Sequence, residues 1–139
     1  MKPRISVITL AVANLEKAMV FYRDGLGFMT AGIVGQEFEN GAVVFFDLQS
    51  GLKLALWPKE SLISEAGLPE GIVSSPSFSL GHNVVSKEEV DNVLVKAEKA
   101  GAKLLKKGQD TLWGGYAGYF QDLDGHLWEV VFNPDLIPG

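Results

Sequence analysis

One pattern, a strand leading into a capped helix and then three more strand-like segments, runs through this sequence twice, and it restricts the chain to folds built from two like modules. In the first pass, "ISVITLAV" is rich in β-branched residues and leads into Asn14, a residue that caps helices by accepting from their first free N–H groups. Leu15, Ala18, Met19 and Tyr22 then fall at helical spacing, which predicts a helix over 15–23 stopped by the Asp24-Gly25 pair. In the second pass, "SFSLGHNVV" is strand-like and Ser86 opens a capping box that Glu89 closes. Val90, Val93, Leu94 and Ala97 form an apolar stripe, and the helix ends at Ala100 with Gly101 as its cap.

Turn signals separate the segments that follow each helix: "FMTAGIVGQEF", "AVVFFDL" and "KLALWP" first, then "KLLKKGQD", "GGYAGYFQD" and "HLWEVVF". Each half reads as βαβββ, over about 4–57 and 77–134, giving an α+β protein. The connection, about 58–76, is rich in Gly, Ser and Pro, with a short helical turn expected over 61–66. One such unit cannot bury both its sheet face and its helix face, so the two are expected to pack as a single domain. At 139 residues and 47% hydrophobic content the chain suffices for one domain with a proper core.

Charge and cysteine content narrow the partners. The net charge of −5 arises from 12 basic and 17 acidic residues spread along the chain, with no basic run to neutralise a phosphate backbone or an anionic membrane, so nucleic acid and membrane are not expected partners. With no cysteine, disulfides, thiolate metal sites and cysteine nucleophiles are excluded, and His82 and His126 are the only histidines. "MKPRISVITLAVA" imitates a signal peptide, but its apolar run is short and reads better as a strand; no segment nears the roughly 18 apolar residues of a membrane span. A cytoplasmic location is expected. Phosphate-loop and serine-nucleophile motifs are absent.

"ITLAVANLEKAMVFYRDGLGF", "NVVSKEEVDNVLVKAEKAGAKLL" and "GYFQDLDGHLWEVVFNP" together resemble the vicinal oxygen chelate superfamily, home of glyoxalases, bleomycin-resistance proteins, fosfomycin-resistance proteins and extradiol dioxygenases. "WGGYAGYF" is similar to a glyoxalase-like subgroup without an assigned substrate. The resemblance implies curved mixed sheets around a cavity, with helices on the outer faces, and it permits a homodimer. It also implies four metal-ligand positions. Here they hold Val7, Ala55, Ser79 and Glu129, so only Glu129 keeps a strong ligand; a two-residue slip in the first half offers Lys53, no ligand when protonated. A resident metal or other cofactor is therefore not expected.

The histidines offer little compensation, because residues three apart on a strand point to opposite faces, which separates His126 from Glu129 and His82 from Ser79. His126, beside the Asp124-Gly125 turn, is expected to be solvated, and His82, on a face with Phe78, Leu80 and Val84, to be a core or boundary residue. Asp122-Leu123-Asp124-Gly125 lacks the third ligand and the glutamate spacing of a calcium loop and reads as a hairpin turn.

Glu129 shares a strand face with Leu127 and Val131, and by resemblance that face lines the cavity. A carboxylate among apolar neighbours is a candidate general base for a proton next to a carbonyl. The competing readings are an ion pair, with Lys53 as partner, and a carboxylate that binds a polar ligand group without chemistry. Trp57, Trp113, Tyr116 and Tyr119 are expected to rim the pocket, with Ser79 and Lys53 beside them, suiting a small organic ligand with a ring or conjugated carbonyl. Three functions stand open: a small-molecule binder of this superfamily, a metal-dependent lyase or dioxygenase, and a non-catalytic antibiotic-binding module.

Overall fold

The computed structural model describes residues 1–69 and 78–138. The chain divides into two compact units, Met1–Val73 and Ser74–Gly139, each with its own four-stranded mixed sheet. In the first, β1 (Val7–Val12) lies parallel to β4 (Lys53–Pro58), with β3 (Val43–Asp47) and β2 (Thr30–Val34) added antiparallel in the order β1-β4-β3-β2. The second repeats this as β5-β8-β7-β6, from β5 (Ser79–Val84), β8 (Leu127–Phe132), β7 (Tyr116–Gln121) and β6 (Lys103–Asp110).

In the first module Asn14 accepts from the Lys17 N–H at 2.9 Å and starts α1 (Leu15–Val20). The helical run ends at the Asp24-Gly25 pair, as the sequence suggests, but its last turn is not α-helical. It widens into a π-helical turn over Phe21–Gly25, where the Leu26 N–H reaches the Phe21 carbonyl. Asp24 pairs with Arg23 at 2.8 Å, and Gly27, at φ +83°, turns the chain left-handed two residues after the run. Tyr22 thereby packs edge-on or tilted against Phe21, Phe28 and Phe46, over a sheet face of Leu10, Val44, Leu54 and Leu56. The expected connecting turn is a two-turn helix, α2 (Lys59–Ala66); the rest of the connection lies outside the described residues.

In the second module Ser86 Oγ accepts the Glu89 N–H at 3.1 Å and Glu89 accepts from Val85, one residue before the cap, at 2.9 Å. The resulting helix, α3 (Lys87–Lys99), lays Val90, Leu94 and Ala97 on the sheet. Gly101, at φ +111°, ends it as expected. Beneath α3 the register partners Phe120 and Trp128 stack with rings 5.9 Å apart and 4° from parallel. The close seating of Leu94 requires glycine at position 118, where a Cβ would fall 2.5 Å from the Leu94 Cδ1 and 2.8 Å from the Lys106 carbonyl oxygen. Among the described residues no helix is long and apolar enough to cross a membrane.

Candidate functional site

Facing residues on neighbouring strands share a sheet face, so the strand register of the second module sets which side chains meet. Glu129 on β8 lies opposite Tyr119 on β7, and Tyr119 lies opposite Lys106 on β6. On its other side Glu129 lies opposite Gly81 of β5. A row of cation, phenol, carboxylate and glycine therefore crosses the whole sheet. Tyr119 donates its hydroxyl to Glu129 Oε2 at 2.8 Å. That bond, with some burial and the charge of Glu129, raises the pKa of the phenol above its ordinary value.

Lys106, Tyr119 and Glu129 floor a concavity of about 260 Å³ that Gln109, Ala117 and Trp113 extend and that Asp110, Thr111 and Leu112 also line. Two irregularities in the β6–β7 register, on either side of Lys106, explain how β6 serves it. Lys106 and Gln109, three apart, would face opposite ways on a regular strand. An inserted residue between them brings Gln109 opposite Ala117 and onto the face of Lys106 and Tyr119. Gly108 fits the irregularity because a Cβ there would meet the Tyr116 ring at 2.4 Å and Asp91 Oδ1 at 2.6 Å.

Trp113 sits in the short β6–β7 loop, where Thr111 Oγ1 accepts the Gly115 N–H at 2.8 Å and Gly114 adopts φ +92°. Its ring lies against Gly115, where a Cβ would come within 2.1 Å of it. The glycine pair thus has two roles, a turn at the first position and a seat for the indole at the second.

The remaining sequence-derived candidates are distributed differently. Tyr116, three residues from Tyr119, turns to the helix side: its hydroxyl donates to Asp91 of α3 at 2.8 Å, and Lys87 stands 5.7 Å from its ring centre. Ser79 is exposed at the start of β5, on the Glu129 face by register with Leu127. In the first module Lys53 pairs with Asp47, its register partner, and Trp57 donates its indole N–H to the Asn40 carbonyl at 2.9 Å. The hydrogen bond to Glu129 within its own module comes from Tyr119 rather than a lysine.

The modules differ at a corresponding pair. Ala55 and Glu129 are each the third residue of the strand paired in parallel, and they face Phe45 and Tyr119 respectively. An apolar pair in one module thus stands where the other has a phenol and a carboxylate.

His82 keeps to the boundary half of its expectation: the residue is exposed, yet partial burial of its ring lowers its pKa, opposed by the charge of Glu89. His126 departs from the expected solvated role. His126 is tied down: Asp122, 5% exposed, accepts the backbone N–H groups of Asp124 and His126 through Oδ1 and meets His126 Nδ1 at 2.7 Å through Oδ2. Burial disfavours the charged ring, but the Asp122 hydrogen bond and charge, helped by Asp124, outweigh it and hold the His126 pKa above its ordinary value. The sequence signal was present, since an aspartate before a two-residue turn readily accepts from the N–H groups that follow it.

The family model of the Glyoxalase/Bleomycin resistance protein/Dioxygenase superfamily matches residues 4–130. A glyoxalase-related enzyme from Fulvimarina pelagi is 34% identical, with a TM-score of 0.81 over 95% of this chain and 89% of its own. A glyoxalase/bleomycin resistance protein/dioxygenase family enzyme from Burkholderia phytofirmans PsJN is similar in fold at 19% identity, with a TM-score of 0.76 over 91% of this chain and 96% of its own. Lactoylglutathione lyase from Agrobacterium tumefaciens is likewise similar in fold at 23% identity, with a TM-score of 0.65 over 94% of each chain. No curated protein matches.

Proposed function

The chain belongs to the Glyoxalase/Bleomycin resistance protein/Dioxygenase superfamily, and from that premise we propose that it binds a small organic molecule in the concavity of its second module, with Glu129 as the polar anchor and without a resident metal. The observation that carries this reading is the Tyr119–Glu129 hydrogen bond on the floor of the concavity. It engages Oε2 and orients the carboxylate while leaving Oε1 to accept a donor from a ligand. Trp113 supplies a flat apolar wall.

The donor set does not fit a divalent metal. Val7 and Ala55 are hydrocarbon side chains and Ser79 is a weak neutral donor, leaving Glu129 alone among the four positions the superfamily pattern assigns. The likeness to lactoylglutathione lyase is one of fold, so lyase chemistry that needs a metal to polarise vicinal oxygens ranks below binding.

Elemental analysis of untagged protein, before and after incubation with excess Ni²⁺, Zn²⁺, Mn²⁺ and Fe²⁺, tests the metal half of the reading. Sub-stoichiometric metal is expected in both wild type and Glu129→Gln. Near-stoichiometric metal lost in the variant overturns it. The binding half is tested by thermal shift against a library of small organic acids, alcohols and ketones. Ligands that stabilise wild type more than Glu129→Gln are expected; a library whose hits ignore position 129 removes Glu129 from the site.

A further inference from the structure

A cation of the concavity lies outside the four superfamily positions. Lys106 lines the concavity, and among the described residues no carboxylate pairs with it. Asp110, which also lines the concavity, is paired with Lys87 at 2.7 Å, and that pairing offsets its charge. The Gln109 amide likewise makes no side-chain hydrogen bond among the described residues. Side chains with five N–H bonds between them thus share a face through the β6 insertion, with no internal acceptor.

Two strands along the row from Lys106 stands Glu129, with Oε1 unengaged and open space at its flank. A Cβ built on Gly81, its register partner, would meet nothing closer than Asn83 Oδ1 at 4.0 Å. Lys106 and Glu129 are two strand spacings apart, on the order of 10 Å between backbones, before the side chains lean inward over Tyr119. The space is about 260 Å³, below the usual range for drug-sized ligands, and it suits a single ring with two substituents.

We propose that the concavity selects planar organic carboxylates that carry a hydroxyl or N–H donor at the far end from the acid. The carboxylate is received by Lys106 and Gln109, the ring lies over Tyr119 against Trp113, and the distal donor is accepted by Glu129. The inference rests on the reading of the concavity as the ligand site and adds the charge and polarity of what enters. Opposite charges at the two ends also fix the ligand's direction, because a carboxylate turned toward Glu129 meets like charge.

Isothermal titration of wild type, Lys106→Met and Glu129→Gln with 4-hydroxybenzoate, 4-hydroxybenzamide and benzoate tests this, with the indole N–H resonance of Trp113, assigned through Trp113→Phe, reporting the location. Wild type is expected to bind 4-hydroxybenzoate about tenfold or more tightly than the amide, and Lys106→Met to abolish that preference while the Trp113 signal still shifts. Glu129→Gln is expected to weaken 4-hydroxybenzoate while leaving benzoate unchanged. Equal binding of acid and amide by wild type, or a preference that survives Lys106→Met, overturns the proposal yet leaves the concavity as a neutral-ligand site if Trp113 responds. Binding of none of the three probes at millimolar concentration also overturns it. Binding that leaves the Trp113 resonance unmoved counts against the concavity reading itself.

Discussion

Tyr119 and Glu129 face each other in register on β7 and β8, joined by a 2.8 Å hydrogen bond in which the phenol is the donor. A phenol that donates to a carboxylate loses that bond on ionising, so its pKa is raised. The folded value lies above the unfolded one. The stabilising contribution is therefore complete below about pH 10 and disappears as pH climbs through the folded value. In a spectrophotometric titration, Glu129→Gln is expected to bring one phenol back toward ordinary behaviour. Asp91→Asn is expected to do the same for Tyr116, which is raised chiefly by its own hydrogen bond to Asp91. One variant shifting both tyrosines at once would show that the two are not independently held.

His126 gives the opposite end of the pH scale. Its folded pKa is raised, so its contribution is present in full below about 6.5 and fades as pH rises through the folded value. Thermal midpoints of wild type and His126→Gln should diverge most near pH 5.5–6.5 and converge in part toward pH 8. Asp122→Asn, which weakens the acceptor for two backbone N–H groups as well as the imidazole, should cost about 2 kcal/mol in urea unfolding. A His126 ring whose chemical shifts titrate at the free-histidine value would contradict the pairing.

Gly115 controls the wall of the concavity. An added methyl collides with the Trp113 ring at 2.1 Å and lies 2.6 Å from the Phe132 carbonyl oxygen, which belongs to the backbone and cannot swing away. Gly115→Ala should destabilise by about 1–3 kcal/mol and displace the indole, seen as a large shift of its N–H resonance. An unmoved resonance would mean that the loop backbone absorbs the methyl instead.

Gly118 controls the seating of α3. In Gly118→Ala the Leu94 terminal methyl can rotate, but the Lys106 carbonyl at 2.8 Å cannot. We expect a loss of about 1–3 kcal/mol, read as a lower urea midpoint with an unchanged slope. A midpoint within experimental error of wild type would show that β6 shifts freely.

The elements were legible in the sequence because their signals are local: the Asn14 and Ser86 caps, the Val90–Leu94–Ala97 stripe and the turn residues each act within a few positions. Glu129 was legible for the same reason, as an acid in an apolar strand. The placement of Tyr116 is local too, since the alternation that separates His126 from Glu129 also sends Tyr116 to the face opposite Tyr119. Lys106 and Gln109 were hidden for a different reason. Their shared face depends on an inserted residue in β6, and only the pairing with β7 reveals where the insertion falls. The π-helical widening over Phe21–Gly25 was not legible, because the Asp24-Gly25 pair marks where the run stops and not how its last turn is wound.

The correspondence of Phe45–Ala55 with Tyr119–Glu129 has a consequence for stoichiometry. A fold assembled from two like halves would naturally offer two equivalent sites, yet here the polar pair exists in only one half. A molecule held by that pair saturates at one equivalent per chain, and a titration endpoint of two would have to be explained by some other part of the surface.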